Sequence, residues 1–306
     1  MALHPQSAAD DLRGISLCAG YGGLDLGVHI AEPGYRTVCY VEREAHAAAA
    51  LVARMGDAAM APAPVWDDLR SFDGRPWRGR VHLVSAGYPC QPFSQAGVRR
   101  GAVDPRHLWP EVARIIDEAR PKWAFLENVE GHVSLGLGDV ARELQALGYD
   151  VKAGLFSAAE AGASHLRRRL FILAHAHGDR RGLLSGHADR GWAAGLQGAV
   201  RRLPRKRRPV LIREHGAGLD ALVVDDPDLR LRSGQPAAGV FTPGPDQFAD
   251  WQRLLDERPD LEPALLREAD GMADRLDRTR GVGNGVCSVA AAFAWATLRD
   301  AHLRVA

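Results

Sequence analysis

The sequence predicts an α/β protein built on a doubly wound, mostly parallel β-sheet, together with a second, smaller and irregular region. Short apolar runs rich in β-branched residues recur through the first 174 residues, and helix-like patterns lie between several of them. After residue 174 this alternation stops. A chain of 306 residues is long enough for one elaborated domain or for a large domain that carries a smaller one.

Six apolar runs are predicted strands, and two segments between them have clear helical spacing. The predicted strands are 15–19, 37–41, 81–86, 123–127, 151–156 and 169–174. The predicted helices are 109–120, with Pro110 in its first turn, and 139–148, which ends at a glycine. Strands that alternate with helices are typical of a parallel sheet with helices on both faces.

The composition divides the chain into three parts. Residues 1–174 form the first part of the main domain, and residues 263–306 end in an apolar helix that we expect to return to it. Residues 175–262 are poor in periodicity, and they contain the basic run RRLPRKRR at 201–208. We interpret this middle part as a separate binding region; a charged disordered linker is the alternative.

Cysteine usage and the lack of long apolar runs disfavour several classes of protein, whereas the net charge does not decide. With 39 Lys and Arg against 38 Asp and Glu, the overall charge argues neither for nor against a polyanionic partner. The cysteines, at 18, 39, 90 and 287, form no CxxC pair, so neither a disulfide framework nor a metal site is expected. No signal peptide and no apolar run of eighteen residues is present, which favours a cytoplasmic protein without a membrane segment.

The first predicted strand leads into a glycine-rich turn. CAGYGG at 18–23 places three glycines before a helix-like segment, and Glu42 ends the next strand about twenty residues later. Such a loop with a following acidic residue favours a nucleoside-containing ligand. An ordinary strand–helix turn and a surface glutamate are the alternatives. The GxxxxGK[ST] pattern is absent, which disfavours an ATPase.

Cys90 lies in GYPCQPFS, directly after the strand at 81–86. Folds of this kind bind substrates at the carboxyl ends of their parallel strands. Cys90 is therefore a candidate nucleophile, and a structural cysteine that only packs is the alternative. Glu127 in LENV ends the next long strand, and HLRRR at 165–169 supplies several arginines. A carboxyl with a raised pKa and nearby cations suit a ring that is protonated while a thiolate adds to it; a helix cap and a solvated charge run are the alternatives.

Together these motifs make a specific resemblance. The ordered set CAGYGG, GYPCQPFS, LENV, HLRRRLFILA and GVGNGV resembles the motif series of the DNA (cytosine-5) methyltransferases, over residues 15–174 and 281–301. The resemblance implies a Rossmann-like methyltransferase fold that uses S-adenosyl-L-methionine and releases S-adenosyl-L-homocysteine. It also implies methyl transfer to carbon 5 of a cytosine flipped out of double-stranded DNA, through a covalent cysteine adduct.

The family's functional residues carry over to matching positions. The resemblance assigns catalysis to Cys90, Glu127, Arg167 and Arg169. It assigns the cofactor to Leu17, Gly20, Gly22, Gly23, Glu42, Arg43, Asp68, Leu69, Pro89, Leu108, Asn284 and Gly285, with Asp67 as the less favoured register for Asp68. It assigns DNA contacts to Gln91, Ser94, Arg99 and Arg106, and the basic run adds Arg205, Lys206 and Arg207.

Some positions depart from the family pattern. Cys18 stands where a phenylalanine usually faces the adenine, and Ser16 stands where an aspartate is common. His165 replaces a glutamine, and Cys287–Ser288 follow GNGV where a proline is often found. These differences bear on the expected affinity for the cofactor. None of them removes a group that performs the chemistry.

The resemblance leaves alternatives in substrate and role. A tRNA cytosine-5 methyltransferase can share this motif set, and a catalytically weak DNA-binding relative is a second alternative. We expect residues 175–262 to recognise the DNA target. We also expect a monomer in a bacterial or phage-infected cell, with a cognate restriction endonuclease acting separately where the host has one.

Overall fold

The computed structural model describes the main domain and the final helix. The described residues are 12–89, 108–161, 163, 166–177, 210–215, 218–223, 249, 252, 253, 256 and 285–303.

Strands and helices alternate through the first half of the chain. In order these are β1 (Leu12–Leu17), α1 (Gly23–Ala31), β2 (Tyr35–Val41), α2 (Ala45–Gly56), β3 (Val65–Trp66), β4 (Leu83–Ala86), α3 (Trp109–Ala119) and β5 (Trp123–Val129). The rest are α4 (His132–Leu135), α5 (Leu137–Ala146), β6 (Tyr149–Ser157), β7 (Arg168–Ala176), β8 (Val210–His215), β9 (Gly218–Val223) and α6 (Ser288–Leu303).

The described strands form one nine-stranded sheet in the order β3-β2-β1-β4-β5-β7-β6-β8-β9. The pairings that join β3, β2, β1, β4 and β5 are parallel. From β5 outwards through β7, β6, β8 and β9 the pairings are antiparallel. The predicted α/β, Rossmann-like fold class is confirmed. The sheet was expected to be mostly parallel, but the described sheet is mixed, with four parallel and four antiparallel pairings.

The prediction that the sheet pattern stops at residue 174 is wrong. β7 continues to Ala176, and the hairpin of β8 and β9 pairs with β6 at the outer edge of the same sheet. The sequence signal was present, since two apolar runs flank a glycine turn in LIREHGAGLDALVV, which is typical of a hairpin. The basic run at 201–208 dominates the composition of this region, so composition alone does not indicate the hairpin.

The sheet has an apolar core on each face because successive side chains of a strand point to opposite sides. In β5, Trp123 and Phe125 face the layer that contains α1 and α6. Ala124 and Leu126 face the layer that contains α3 and α5. Because both faces are covered, the buried strands read as nearly continuous apolar runs.

The last helix packs on the first. The indole Nε1 of Trp295 in α6 donates to the Glu32 carboxylate at 3.0 Å, just after α1 ends, and Arg299 pairs with the same carboxylate. A Cβ on Gly27 of α1 would lie 2.5 Å from the Ala291 side chain, so the two helices approach closely. Among the residues that the structure describes, no helix is both long and apolar enough to cross a bilayer.

Candidate functional site

Polar side chains converge at the edge of the sheet where β1, β2, β4 and β5 end. The strand β7 begins at this edge because it runs antiparallel to β5, and its Arg169 pairs with Val129. This direction brings arginines from a later part of the chain beside Glu127, which lies near the carboxyl end of β5. The antiparallel direction of β7 thus brings its first residues to the edge at which β5 ends.

Glu127 is buried, with only 8% of its surface exposed. Its Oε1 lies 3.2 Å from Nε of Arg169, and a Cβ on Gly87 would lie 3.7 Å from its Oε2. Burial raises the pKa of Glu127 from 4.5 to about 7, against the opposing effects of Arg169 and Arg167. Near neutral pH this carboxyl can therefore donate a proton or accept a hydrogen bond.

Arg167 joins the same edge to the start of α6. Its guanidinium donates to the backbone carbonyl of Gly285, and burial, followed by the neighbouring Arg169, lowers its pKa. The adjacent Val286 carbonyl lies so close to the first loop that a Cβ on Gly23 would be 2.5 Å from it. Three predicted site residues, Gly23, Arg167 and Gly285, thus meet in one place although they are far apart in sequence.

The nucleoside side of the edge is formed by the glycine turn and Glu42. The Gly20 N–H donates to Oε2 of Glu42 at 2.6 Å, and the Glu44 N–H donates to Oε1 at 2.7 Å. Gly20 and Gly22 have φ of 54° and 73°, in the left-handed region that favours glycine. A Cβ on Gly20 would meet nothing within 4 Å, so open space lies beside the turn.

The Glu42 carboxylate and the space beside Gly20 fit a nucleoside. A carboxylate oxygen has two lone pairs, so Glu42 can accept ribose hydroxyls in addition to its two backbone N–H groups. The open space beside Gly20 allows a ligand to approach the backbone.

The other predicted cofactor residues differ in how much surface they offer. Leu17 and Leu69 are buried in the apolar core, so a contact from either would run through its backbone. Arg43 and Pro89 are exposed, and Leu108 is half-buried at the start of α3. Asp68 accepts the Arg70 N–H at 3.1 Å in a local turn.

Several predicted residues lie outside the described part of the chain. They are Cys90, Gln91, Ser94, Arg99, Arg106, His165, Arg205, Lys206, Arg207 and Asn284.

Burial disfavours the thiolate form of the three described cysteines. Burial, with a smaller effect from Glu42, raises the pKa of Cys18 to about 12, and burial raises the pKa of Cys39 to about 11. The pKa of Cys287 is also raised by burial. Because the thiolate is the nucleophile, none of these three is suited to attack.

Sequence reasoning missed a buried carboxylate under the first loop. Asp25 in α1 accepts hydrogen bonds from Ser16 at 2.5 Å, Tyr35 at 2.8 Å and Ser85 at 2.6 Å. Burial raises the pKa of Asp25, while these hydroxyls oppose the effect. It ties α1 to β1, β2 and β4; the available signal was an acidic residue among the apolar positions of a helix.

A second missed group fixes the chain beside Pro89. The Asn128 amide donates to the Tyr88 carbonyl at 3.2 Å, and the Tyr88 hydroxyl lies 2.9 Å from Nε2 of His132. The Tyr88 ring packs against Trp109 at 5.4 Å between centroids. No local sequence pattern indicates these contacts, which hold the end of β4 against the start of α3.

The fold and the site together define a Rossmann-like α/β protein with a nucleoside-type loop beside a buried acid and two arginines. Residues 12–195 match the family model of the C-5 cytosine-specific DNA methylases. The chain belongs to this family.

Curated relatives match about half of the chain. The Type II methyltransferase M.NgoMIV of Neisseria gonorrhoeae is 34% identical over 168 residues, which are 52% of this chain and 50% of the relative. The Type II methyltransferase M1.ScrFI of Lactococcus lactis subsp. cremoris is 35% identical over 164 residues, 52% of this chain and 40% of the relative. The chain therefore spans about half, or less, of the length of these relatives.

Among solved structures, a DNMT2 protein of Spodoptera frugiperda is similar with a TM-score of 0.47 and 17% identity. The match covers 55% of this chain and 51% of that protein.

Proposed function

We propose that this protein transfers a methyl group from S-adenosyl-L-methionine to carbon 5 of a flipped-out cytosine in double-stranded DNA. The observation that carries the proposal is the buried Glu127 carboxyl, whose pKa is about 7, lying 3.2 Å from Arg169. A protonated acid beside a fixed cation suits a pyrimidine ring that gains electron density during reaction. Family membership agrees with this chemistry.

Cys90 is the proposed nucleophile. Its thiolate adds to carbon 6 of cytosine, which forms a sulfur–carbon bond and moves the ring electrons to carbon 5. After methylation, a base removes the carbon-5 proton; the electrons of that bond restore the carbon 5–carbon 6 double bond and expel the thiolate. The choice of Cys90 is supported by its place in the GYPCQPFS motif, directly after the strand β4, within the segment that matches the family.

Glu127 and the two arginines handle the charge that this attack creates. Glu127 donates a hydrogen bond or a proton to ring nitrogen 3, which withdraws electrons and makes carbon 6 more electrophilic. Arg169 beside it stabilises negative charge at the ring carbonyl, and Arg167 adds a second cation held by Gly285.

The glycine turn and Glu42 are the proposed cofactor site. The open space beside Gly20 and the carboxylate of Glu42 fit the nucleoside part of S-adenosyl-L-methionine, with Asp68 and Leu108 at the adenine side. When bound, this cofactor supplies the electrophilic methyl group. The chain's own residues orient it at the edge where Glu127 lies.

Base flipping is part of the proposal because a thiolate cannot reach carbon 6 inside a stacked duplex. Gln91, Ser94, Arg99 and Arg106 are the proposed contacts around the extruded nucleotide, and Arg205, Lys206 and Arg207 are proposed phosphate contacts. Residues 175–262 are the proposed target-recognition region. A cognate restriction endonuclease that acts separately is a proposed partner; similarity to proteins named Type II methyltransferases supports testing it.

Sequencing of cytosine methylation in a host that expresses this chain tests the proposal. We expect new 5-methylcytosine within one short DNA sequence, and none with Cys90→Ala. Methylation of the host's RNA alone would assign the tRNA alternative. Absence of 5-methylcytosine from both nucleic acids, with the protein folded and able to bind S-adenosyl-L-homocysteine, would contradict methyl transfer by this chain.

A further inference from the structure

A reciprocal pair of hydrogen bonds closes the turn that follows β6. The backbone N–H of Ser157 donates to Oε2 of Glu160 at 2.7 Å, and the backbone N–H of Glu160 donates to the Ser157 hydroxyl oxygen at 3.3 Å. This pattern is that of a capping box, although the residues here form a turn. It fixes the backbone at 157–160 from both ends.

Glu160 is an unusual residue to place in this turn. Its side chain is fully buried, with 0% exposure, and its Oε1 has no hydrogen-bond partner among the described residues. Burial raises the pKa of Glu160 to about 7. Because an unsatisfied buried polar atom costs stability, a carboxyl group at this buried position calls for an explanation beyond the filling of space.

The turn is connected directly to Arg167. The Ala158 N–H donates to the Arg167 carbonyl at 3.4 Å, and Ser157 pairs with Arg168 at the last position of the ladder between β6 and β7. Arg167 has φ of 32°, close to the left-handed region that non-glycine residues rarely adopt. Such a conformation persists only where its surroundings impose it, and the turn contacts the Arg167 backbone directly.

We propose that Glu160 is a positioning residue for Arg167. Through Ser157 and Ala158 it holds the Arg167 backbone in the conformation that directs the guanidinium to the Gly285 carbonyl and towards Glu127. Glu160 itself does not contact the reacting ring. The inference rests on the proposed function, because it assigns Glu160 a role in aligning the arginine of that site.

Three variants separate positioning from charge and from general stability. Glu160→Ala removes the acceptor, whereas Glu160→Gln keeps an oxygen that accepts the Ser157 N–H and removes the charge. Glu130→Ala is the matched control, because Glu130 pairs with Arg168 of the same segment at 3.1 Å on the surface. In single-turnover methyl transfer to DNA, we expect Glu160→Ala to be slower by about tenfold to a hundredfold. We expect Glu160→Gln and Glu130→Ala to stay within about twofold of wild type.

Two further readouts make the outcome decisive. We expect the Ala158 amide to exchange hydrogen faster in Glu160→Ala than in Glu160→Gln, and we expect S-adenosyl-L-homocysteine affinity to be unchanged in all three. Equal rates for Glu160→Ala and wild type would overturn the inference, as would equal losses in Glu160→Ala and Glu160→Gln, or weaker cofactor binding that matches the loss of rate. If wild type methylates neither DNA nor RNA, the proposed function fails, while the amide exchange still tests the positioning by itself.

Discussion

Glu127 shows how burial sets the chemistry of one residue. Two arginines lie near it, and each favours the ionised form, yet the loss of solvation is larger and raises the pKa to about 7. The LENV motif identified this residue from sequence. The pKa was not predictable in magnitude, because it depends on packing near Gly87 and on the direction of a strand forty residues later.

A raised pKa makes Glu127 a source of instability at high pH. In the unfolded chain it ionises near 4.5, whereas in the folded protein it keeps its proton to about 7, so stability falls as pH rises through this interval. At pH 8 we expect Glu127→Gln to unfold at a higher urea concentration than wild type. Its free energy of unfolding should be larger by up to about 3 kcal/mol. The gain in stability should vanish below about pH 4.5.

Glu127→Gln should also lower the rate of methyl transfer by at least about a hundredfold.

Glu130→Gln is the control for this prediction. Glu130 is exposed at the end of the same segment, so the substitution should change neither the urea midpoint nor its pH dependence appreciably. A Glu127→Gln protein that is less stable than wild type at pH 8 would show that the arginine contacts outweigh desolvation.

At the scale of elements, the close approach of α1 to the segment before α6 shapes the first loop. The Val286 carbonyl at Gly23 and the Ala291 side chain at Gly27 leave no room for a Cβ at either glycine. Periodicity predicted the strands and the helices at 109–120 and 139–148 to within a few residues. It could not predict this contact, since the partners are more than 250 residues apart and share no local pattern.

Two glycines in helices provide a matched test of this contact. Gly23→Ala should destabilise the protein by about 1–3 kcal/mol, because backbone must shift to admit the methyl group, and it should weaken S-adenosyl-L-homocysteine binding. Gly138→Ala in α5 places the same group where nothing lies within 4 Å, so it should stabilise by about 0.5–1 kcal/mol. Urea denaturation followed by tryptophan fluorescence measures both. Equal effects at the two positions would contradict the close approach.

At the scale of the whole molecule, the mixed sheet explains how distant motifs form one site. The parallel half carries the glycine turn, Glu42 and Glu127 to one edge, and the antiparallel β7 returns Arg167 and Arg169 to that edge. The fold class and the site motifs were predictable because each has a local sequence signal. The direction of β7 was not predicted, because strand direction depends on connections whose path the local sequence does not specify. The hairpin of β8 and β9 has a local signal, but its pairing with β6 is a long-range contact that this signal does not specify.

The central claim is that Cys90 attacks the cytosine ring. Carbon 5 carrying fluorine cannot lose a proton, so the thiolate is not expelled and the adduct persists. Genome-length duplex DNA in which 5-fluorocytosine replaces cytosine offers a very large number of sequences, so the recognition sequence need not be known beforehand. Peptide mass spectrometry after incubation with S-adenosyl-L-methionine locates the crosslink. The account predicts a crosslinked nucleotide on the Cys90 peptide and none in Cys90→Ala. An adduct on Cys18, Cys39 or Cys287, or one that survives in Cys90→Ala, would contradict it.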